Sequence, residues 1–208
     1  MRILTFLFLL IIAVSLSACN TVAPTPLLMG RVVDLNTEVN QLYLDCSEGA
    51  NYVVSKEGCD PELLSVQTEK FLDLSEEFIS ADIKQPQGYI LHLETTMKYF
   101  RIAQRNANEY TRAEMISRQF FEIQKSIRGR SMDDARFYWA YFTAAHASYQ
   151  FNACQYHNDC SALDQDRKLV LLLATAEGIE VSEVIEGAKA VRLRQSLQNL
   201  ELVIDSIE

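Results

Sequence analysis

The sequence has few of the residues that interrupt helices. Its 208 residues include only 7 glycines and 4 prolines, and no stretch shows the alternation of apolar and polar residues that marks a half-buried strand. Apolar residues instead recur at steps of three and four through most of the chain after residue 27, as on one face of a helix. This spacing predicts an all-α fold, an irregular bundle of about six to seven helices.

Catalytic and metal-binding motifs are also lacking. The chain contains no H-E-x-x-H, G-x-S-x-G, P-loop or glycine-rich dinucleotide turn. It has no C-x-x-C pair, and its three histidines are scattered at positions 92, 146 and 157. We therefore expect no enzyme and no bound metal or cofactor. An enzyme of unrecognised type is the alternative, and it would require a cleft with two carboxylates or a base beside a nucleophile.

Basic residues are in the minority, with 19 Lys and Arg against 28 Asp and Glu, a formal net charge of −9. A nucleic-acid-binding surface needs clustered positive charge to neutralise phosphates. The acidic balance therefore argues against nucleic acid as a partner.

The first 19 residues have the pattern expected of an export signal. Arg2 precedes an uninterrupted apolar run, Ile3 to Val14, of the length found in secretory signal peptides. Ser15 follows this run, and the next four residues, Leu16-Ser17-Ala18-Cys19, resemble the lipobox of bacterial lipoprotein precursors. That resemblance implies cleavage of residues 1–18 and attachment of palmitate-type acyl chains at Cys19. Two or three such chains, at about 0.8 kcal/mol per buried methylene, give stable membrane anchoring.

The residue after Cys19 is Asn20 and not the aspartate that typically retains such proteins in the inner membrane. The resemblance therefore implies attachment to the outer membrane of the bacterial envelope, with the folded part in the periplasm. Residues 19–26 form the lipidated cysteine and a short uncharged linker, which reaches about 20–25 Å when extended. Residues 27–208 are long enough for a single all-α domain, which we expect close to the membrane surface.

Four cysteines remain once Cys19 is assigned to the lipid anchor, and an exported chain favours disulfides between them. Three pairings are open. We favour Cys46–Cys59 and Cys154–Cys160, because each closes a short polar, turn-rich segment. A metal site is disfavoured because His157, the only histidine among them, lies in a stretch poor in other ligands.

The most apolar part of the chain is predicted to form its centre. No charged residue occurs between Arg136 and Asp159, and Leu169 to Ala176 is apolar on all sides of a helix. We expect 131–153 and 162–177 to pair as a buried helical hairpin, with Gly178 ending its second helix. A last helix, Val181 to Ile207, is expected to wrap it with the others.

Two groups of residues are candidates for binding. Trp139 and His146 fall on one helix face with Phe142, where they could orient a small apolar ligand, although a core histidine bonded to a tyrosine or a carbonyl is the simpler interpretation. The third and fourth predicted helices carry a cluster of arginines, whose main members are Arg101, Arg105, Arg112 and Arg118. These arginines either pair with acidic neighbours or expose a basic stripe to anionic lipid or an acidic protein. In the same region, Thr111-x-x-Glu114 resembles a capping box that would open a helix.

These features favour a membrane-anchored envelope lipoprotein whose helical domain acts as a protein-interaction, accessory or inhibitor module. A binding module for a small apolar ligand is the alternative. A scaffold of the tetratricopeptide type is a further one, although the 34-residue signature of that repeat is not found.

Overall fold

The computed structural model describes residues 25–48, 51–52, 56–100 and 107–207. The signal segment 1–18, Cys19 and the linker up to residue 24 lie outside these ranges. The described part confirms the all-α prediction. It contains seven α-helices: α1 Thr25–Asp45, α2 Pro61–Ala81, α3 Pro86–Tyr99, α4 Ala107–Ile127, α5 Met132–His157, α6 Gln165–Ser182 and α7 Gly187–Ser206. Between α1 and α2 lies a two-residue antiparallel ladder, β1 Ser47–Glu48 and β2 Asn51–Tyr52.

Helices pack mainly on their neighbours along the chain. α1 packs on α2, α2 on α3, and α3 on α4, while α5 contacts α4, α6 and α7. One buried cluster joins α1 to α2, and a larger one surrounds α5. None of the described helices is both long and apolar enough to span a bilayer.

The central position of α5 follows from its sequence. Phe137, Tyr138 and Phe142 are almost completely buried, as are the small residues Ala140 and Ala147. The aromatic side chains fill the space between α4, α6 and α7, and the alanines allow neighbouring backbones to approach. The prediction of a buried helix over 131–153 is therefore confirmed.

The second helix of the hairpin, predicted over 162–177, is only half buried. α6 packs against α5 as expected, and Leu171 and Ala174 are buried, but Leu169, Leu172 and Leu173 are 59%, 48% and 54% exposed. The expectation of burial on all sides is corrected because, among the described residues, α6 packs its backbone mainly against α5 and α7. An apolar sequence shows which residues favour burial, but it does not supply the neighbour that would bury them.

Gly178 does not end a helix. It lies within α6, where a Cβ atom would stand 2.8 Å from Leu197 Cδ2 and 2.9 Å from Ala140 Cβ. Glycine is therefore required for the close approach of α5, α6 and α7. The chain turns later, between Ser182 and Gly187, whose φ of +68° suits glycine, so Val181 to Ile207 is not one continuous helix.

Both favoured cysteine pairings are confirmed. Cys46–Cys59 ties the end of α1 to the start of α2, with 4.5 Å between the Cα atoms. Cys154–Cys160 ties the last turn of α5 to the loop before α6, with 4.4 Å between the Cα atoms. Each disulfide therefore fixes one inter-helix connection.

Candidate functional site

Trp139 and His146 lie on the same helix but face different surroundings. The Trp139 indole is 4% exposed and stacks on Phe121 of α4, with 4.4 Å between the ring centroids. Phe142 contacts Phe100 at the end of α3, edge to face. Neither Trp139 nor Phe142 lines either of the two cavities described below. In the described part of the chain, Trp139 and Phe142 therefore contribute to the packing between helices.

His146 belongs to a charged network that connects three helices. Its Nδ1 lies 2.5 Å from Oε2 of Glu114 on α4. Arg167 on α6 donates to both oxygens of that carboxylate, with Nη1 2.6 Å from Oε1 and Nη2 2.9 Å from Oε2. Arg167 Nε donates to Gln150 Oε1 at 2.9 Å. The side chains of His146, Glu114 and Arg167 are only 10–14% exposed. Their polar atoms therefore depend on one another for hydrogen bonds.

The protonation of Glu114 follows from these contacts. Burial raises the pKa of its carboxyl, but the hydrogen bonds from His146 and Arg167 and the charge of Arg167 outweigh burial and lower the pKa below its usual value. Glu114 is then an ionised carboxylate, which only accepts hydrogen bonds. His146 must therefore donate its Nδ1 proton to Glu114, which leaves Nε2 as the ring nitrogen that faces away from the carboxylate.

The Nε2 side of His146 faces a hydroxyl group. Thr111 Oγ1 on α4 lies 3.5 Å from Nε2 and donates to the carbonyl of Ala107 at 2.9 Å. The capping-box prediction for Thr111-x-x-Glu114 is wrong, because α4 begins at Ala107. Both residues lie inside the helix, three positions apart, and they meet the two nitrogens of one imidazole.

An open groove of about 480 Å³ runs past this network between α4, α5 and α6. α4 provides most of its wall, including Thr111, Met115, Arg118 and Glu122, and His146 and Arg167 provide the opposite side. Arg118 is exposed and has no ion-pair partner within the described ranges. The groove therefore combines an apolar side chain, a cation and an oriented imidazole.

A second cluster of Glu, His and Arg lies between α2, α3 and α4. Glu76 on α2 lies 3.8 Å from His92 Nε2 on α3, and Arg112 on α4 donates to Glu76 at 2.5 Å. Ser75 Oγ lies 2.8 Å from His92 Nδ1. Full burial, reinforced by the charge of Arg112, lowers the pKa of His92 to about 3, so this ring is neutral.

The two clusters differ in access and in orientation. A cavity of about 300 Å³ reaches His92 and Arg112, but Ser75 is fully buried and also donates to the Leu72 carbonyl. The His92 cluster thus ties α2, α3 and α4 together. Of the two clusters, the one at His146 has its hydroxyl at the surface. There, Thr111 lies beside Nε2 of the ring, and the Glu114 carboxylate accepts from Nδ1.

The predicted basic stripe is divided by the structure. Arg112 pairs with Glu76 and also lies 3.4 Å from Asp73, as expected if the basic helix packs on acidic neighbours. Arg118 faces the open groove instead. Arg101 and Arg105 lie outside the described residues.

The exposed side of α6 forms an apolar surface that the sequence-based prediction missed. Leu169, Leu172, Leu173 and Ile179 are each 48–59% exposed and recur at steps that place them on one side of the helix. We call these four residues the α6 apolar face. The exposed Glu180 and Glu183 follow at its C-terminal end. The signal was present in the sequence as an unusually apolar helix, but it was assigned to burial inside the domain.

Across the described ranges, no group of three or more His, Cys, Asp or Glu side chains is arranged to hold a metal ion. No protein-family model, curated protein or solved structure matches the chain.

Proposed function

We propose that this chain is a bacterial envelope lipoprotein whose helical domain, 27–208, binds a protein partner through the α6 apolar face. Residues 1–18 are removed, and acyl chains at Cys19 attach the domain to the outer membrane, on the periplasmic side. The domain then acts as an accessory subunit, a scaffold or an inhibitor of a neighbouring envelope protein.

The α6 apolar face is the observation that carries this proposal. Monomeric soluble proteins seldom expose a contiguous patch of large aliphatic side chains, and such patches commonly mark interaction sites. Each of the four side chains would gain by burial, at about 25 cal/mol per Å² of apolar surface removed from water. The face lies on a helix that is held rigidly by α5, α7 and the Cys154–Cys160 disulfide, so binding needs little reordering.

Two further features support the envelope setting. The lipobox resemblance at Leu16-Ser17-Ala18-Cys19 provides the anchor, and the two disulfides are typical of a chain that folds in an oxidising compartment. At the C-terminal end of the face, Glu180 pairs with Arg136 at 3.0 Å, and the exposed Glu183 suits a partner helix that is apolar along its centre and basic at one end.

The interaction is tested by crosslinking in intact cells, followed by purification of the tagged lipoprotein. We expect one stoichiometric envelope protein to co-purify, and Leu172→Lys with Leu173→Lys to abolish its recovery. The matched control replaces exposed apolar side chains of other helices, Leu44→Lys with Val66→Lys, and should leave recovery unchanged. Equal recovery with both double variants would contradict the role of the α6 apolar face.

The anchor is tested separately by metabolic labelling with an alkyne analogue of palmitate. We expect label on the wild-type protein and none on Cys19→Ser, with the wild type in the outer-membrane fraction. Label that persists in Cys19→Ser, or wild-type protein that is unlabelled and free in the periplasm, would refute lipidation. The crosslinking experiment tests the α6 apolar face and not the anchor, so it can be interpreted whichever result the labelling gives.

A further inference from the structure

We infer that Thr111, His146 and Glu114 form a nucleophilic relay that hydrolyses small acyl esters in the groove between α4, α5 and α6. This activity is independent of partner binding at the α6 apolar face. It differs from the expectation of no enzyme, which rested on the absence of sequence motifs.

The geometry places the three groups in the order that such a relay needs. A carboxylate holds His146 Nδ1 at 2.5 Å, and a hydroxyl lies 3.5 Å from Nε2. In relays of hydroxyl, imidazole and carboxylate, the carboxylate fixes the tautomer and the orientation of the ring, and the opposite nitrogen acts as the base. Hydroxyl-to-nitrogen distances of this size are common before substrate binds and shorten in the complex.

The surroundings keep the relay in place. Arg167 occupies both oxygens of Glu114, which prevents the carboxylate from rotating away from Nδ1. The Tyr110 ring lies nearly parallel to the imidazole, with 6.4 Å between the centroids and 11° between the planes. Thr111 is exposed to the groove, so that its hydroxyl can turn from the Ala107 carbonyl towards Nε2.

The reaction proceeds in two balanced steps. Thr111 Oγ1 passes its proton to His146 Nε2 and bonds to the carbonyl carbon of the ester, and the bond from that carbon to the alcohol oxygen breaks. The imidazolium returns the proton to the departing alkoxide. Water then attacks the acyl-threonine with His146 as base, which frees the carboxylic acid and restores the hydroxyl. Glu114 stays ionised throughout.

The groove also indicates the class of substrate. Thr111, Met115 and Arg118 follow one another along the same side of α4, and all three line the groove. An acyl chain bonded at Thr111 can contact Met115, and an anionic group beyond it can meet the guanidinium of Arg118. The favoured substrate is therefore a short acyl ester that carries a carboxylate or phosphate group.

The test measures hydrolysis of two chromogenic esters by the full-length protein purified in detergent. The neutral probe is para-nitrophenyl acetate, and the anionic probe is the para-nitrophenyl monoester of succinate. We expect His146→Gln and Thr111→Val each to lower kcat/KM by about 10²-fold or more. Arg118→Met should raise KM for the anionic ester more than it raises KM for the neutral ester.

Matched controls separate chemistry from folding. Thr37 on α1 is exposed and makes the same bond to the carbonyl four residues earlier, at 2.9 Å, so Thr37→Val should have no effect. The exposed His157 is the control for His146. Because Thr111 is at the surface, Thr111→Val should keep the helical circular dichroism and the unfolding midpoint of the wild type even if His146→Gln does not fold.

Glu114 is a positioning residue, and it is tested by Glu114→Gln. We expect kcat to fall with KM unchanged and the pH profile of kcat to shift, which a purely structural role would not cause. A fluorophosphonate should label Thr111 in the wild type and not in His146→Gln. Two outcomes would overturn the relay. One is hydrolysis by the folded wild type that is no faster than hydrolysis by the His157→Gln protein denatured in urea. The other is hydrolysis that survives the substitution Thr111→Val.

Discussion

Arg167 on α6 holds both carboxylate oxygens of Glu114 on α4, at 2.6 Å and 2.9 Å. The two residues are 53 positions apart in the chain. Both of their helices pack on α5, and this ion pair joins them across it. The same carboxylate receives His146 of α5, so one side chain fixes the relative positions of three helices.

Removing Glu114 should be strongly destabilising. Glu114→Ala leaves the buried Arg167 and His146 without their shared acceptor, and we expect a loss of about 3–5 kcal/mol in the free energy of unfolding. Chemical denaturation followed by circular dichroism measures it. Glu122→Ala, an exposed carboxylate on the same helix, should change stability by less than about 0.5 kcal/mol. Equal losses in the two variants would contradict a structural role for the network.

Stability should fall in mild acid because of His92. Burial, with the charge of Arg112, holds the pKa of His92 at about 3 in the folded protein, whereas the unfolded chain takes up the proton near pH 6.5. The unfolded state therefore binds one more proton between these values. The free energy of unfolding should drop by about 1.4 kcal/mol per pH unit as the pH falls from 6.5 towards 3.

This contribution is isolated by comparing denaturation midpoints of the wild type and His92→Gln from pH 7 to pH 4. The variant should lose that part of the slope. His157→Gln, at an exposed position, should keep it. A wild-type slope that His92→Gln leaves unaltered would show that other groups cause the acid sensitivity.

The two disulfides should differ in their contributions. Cys46→Ser with Cys59→Ser opens the longer loop, and we expect a loss of about 3 kcal/mol, against about 2 kcal/mol for Cys154→Ser with Cys160→Ser. Cys46 is fully buried, whereas Cys160 is exposed. Mild reductant should therefore open Cys154–Cys160 first, which alkylation and peptide mass spectrometry would detect. Earlier alkylation of Cys46 would contradict the order.

Gly178→Ala should destabilise the domain by about 1–3 kcal/mol, because its methyl group would overlap Leu197 and Ala140. Gly30 is the matched control within α1, since a Cβ atom there would meet no atom within 4 Å. Gly30→Ala should raise stability by about 0.5–1 kcal/mol through helix propensity. Thermal unfolding of both variants tests this difference in sign.

Much of the fold was predictable because it depends on short stretches of chain. The spacing of apolar residues predicted the helices, and the short polar loops predicted Cys46–Cys59 and Cys154–Cys160. The absence of charge predicted the burial of α5. His146 was recognisable as unusual because it interrupts that apolar helix.

The sequence by itself determined where helices form and which residues favour burial, since both follow from neighbours within a turn or two. Only the tertiary structure decided that Glu114 and Arg167 meet at His146, that Gly178 serves close packing, and that one side of α6 stays uncovered. Spacing gives the direction of a side chain around its own helix. The partner in that direction depends on how helices distant in the chain pack together.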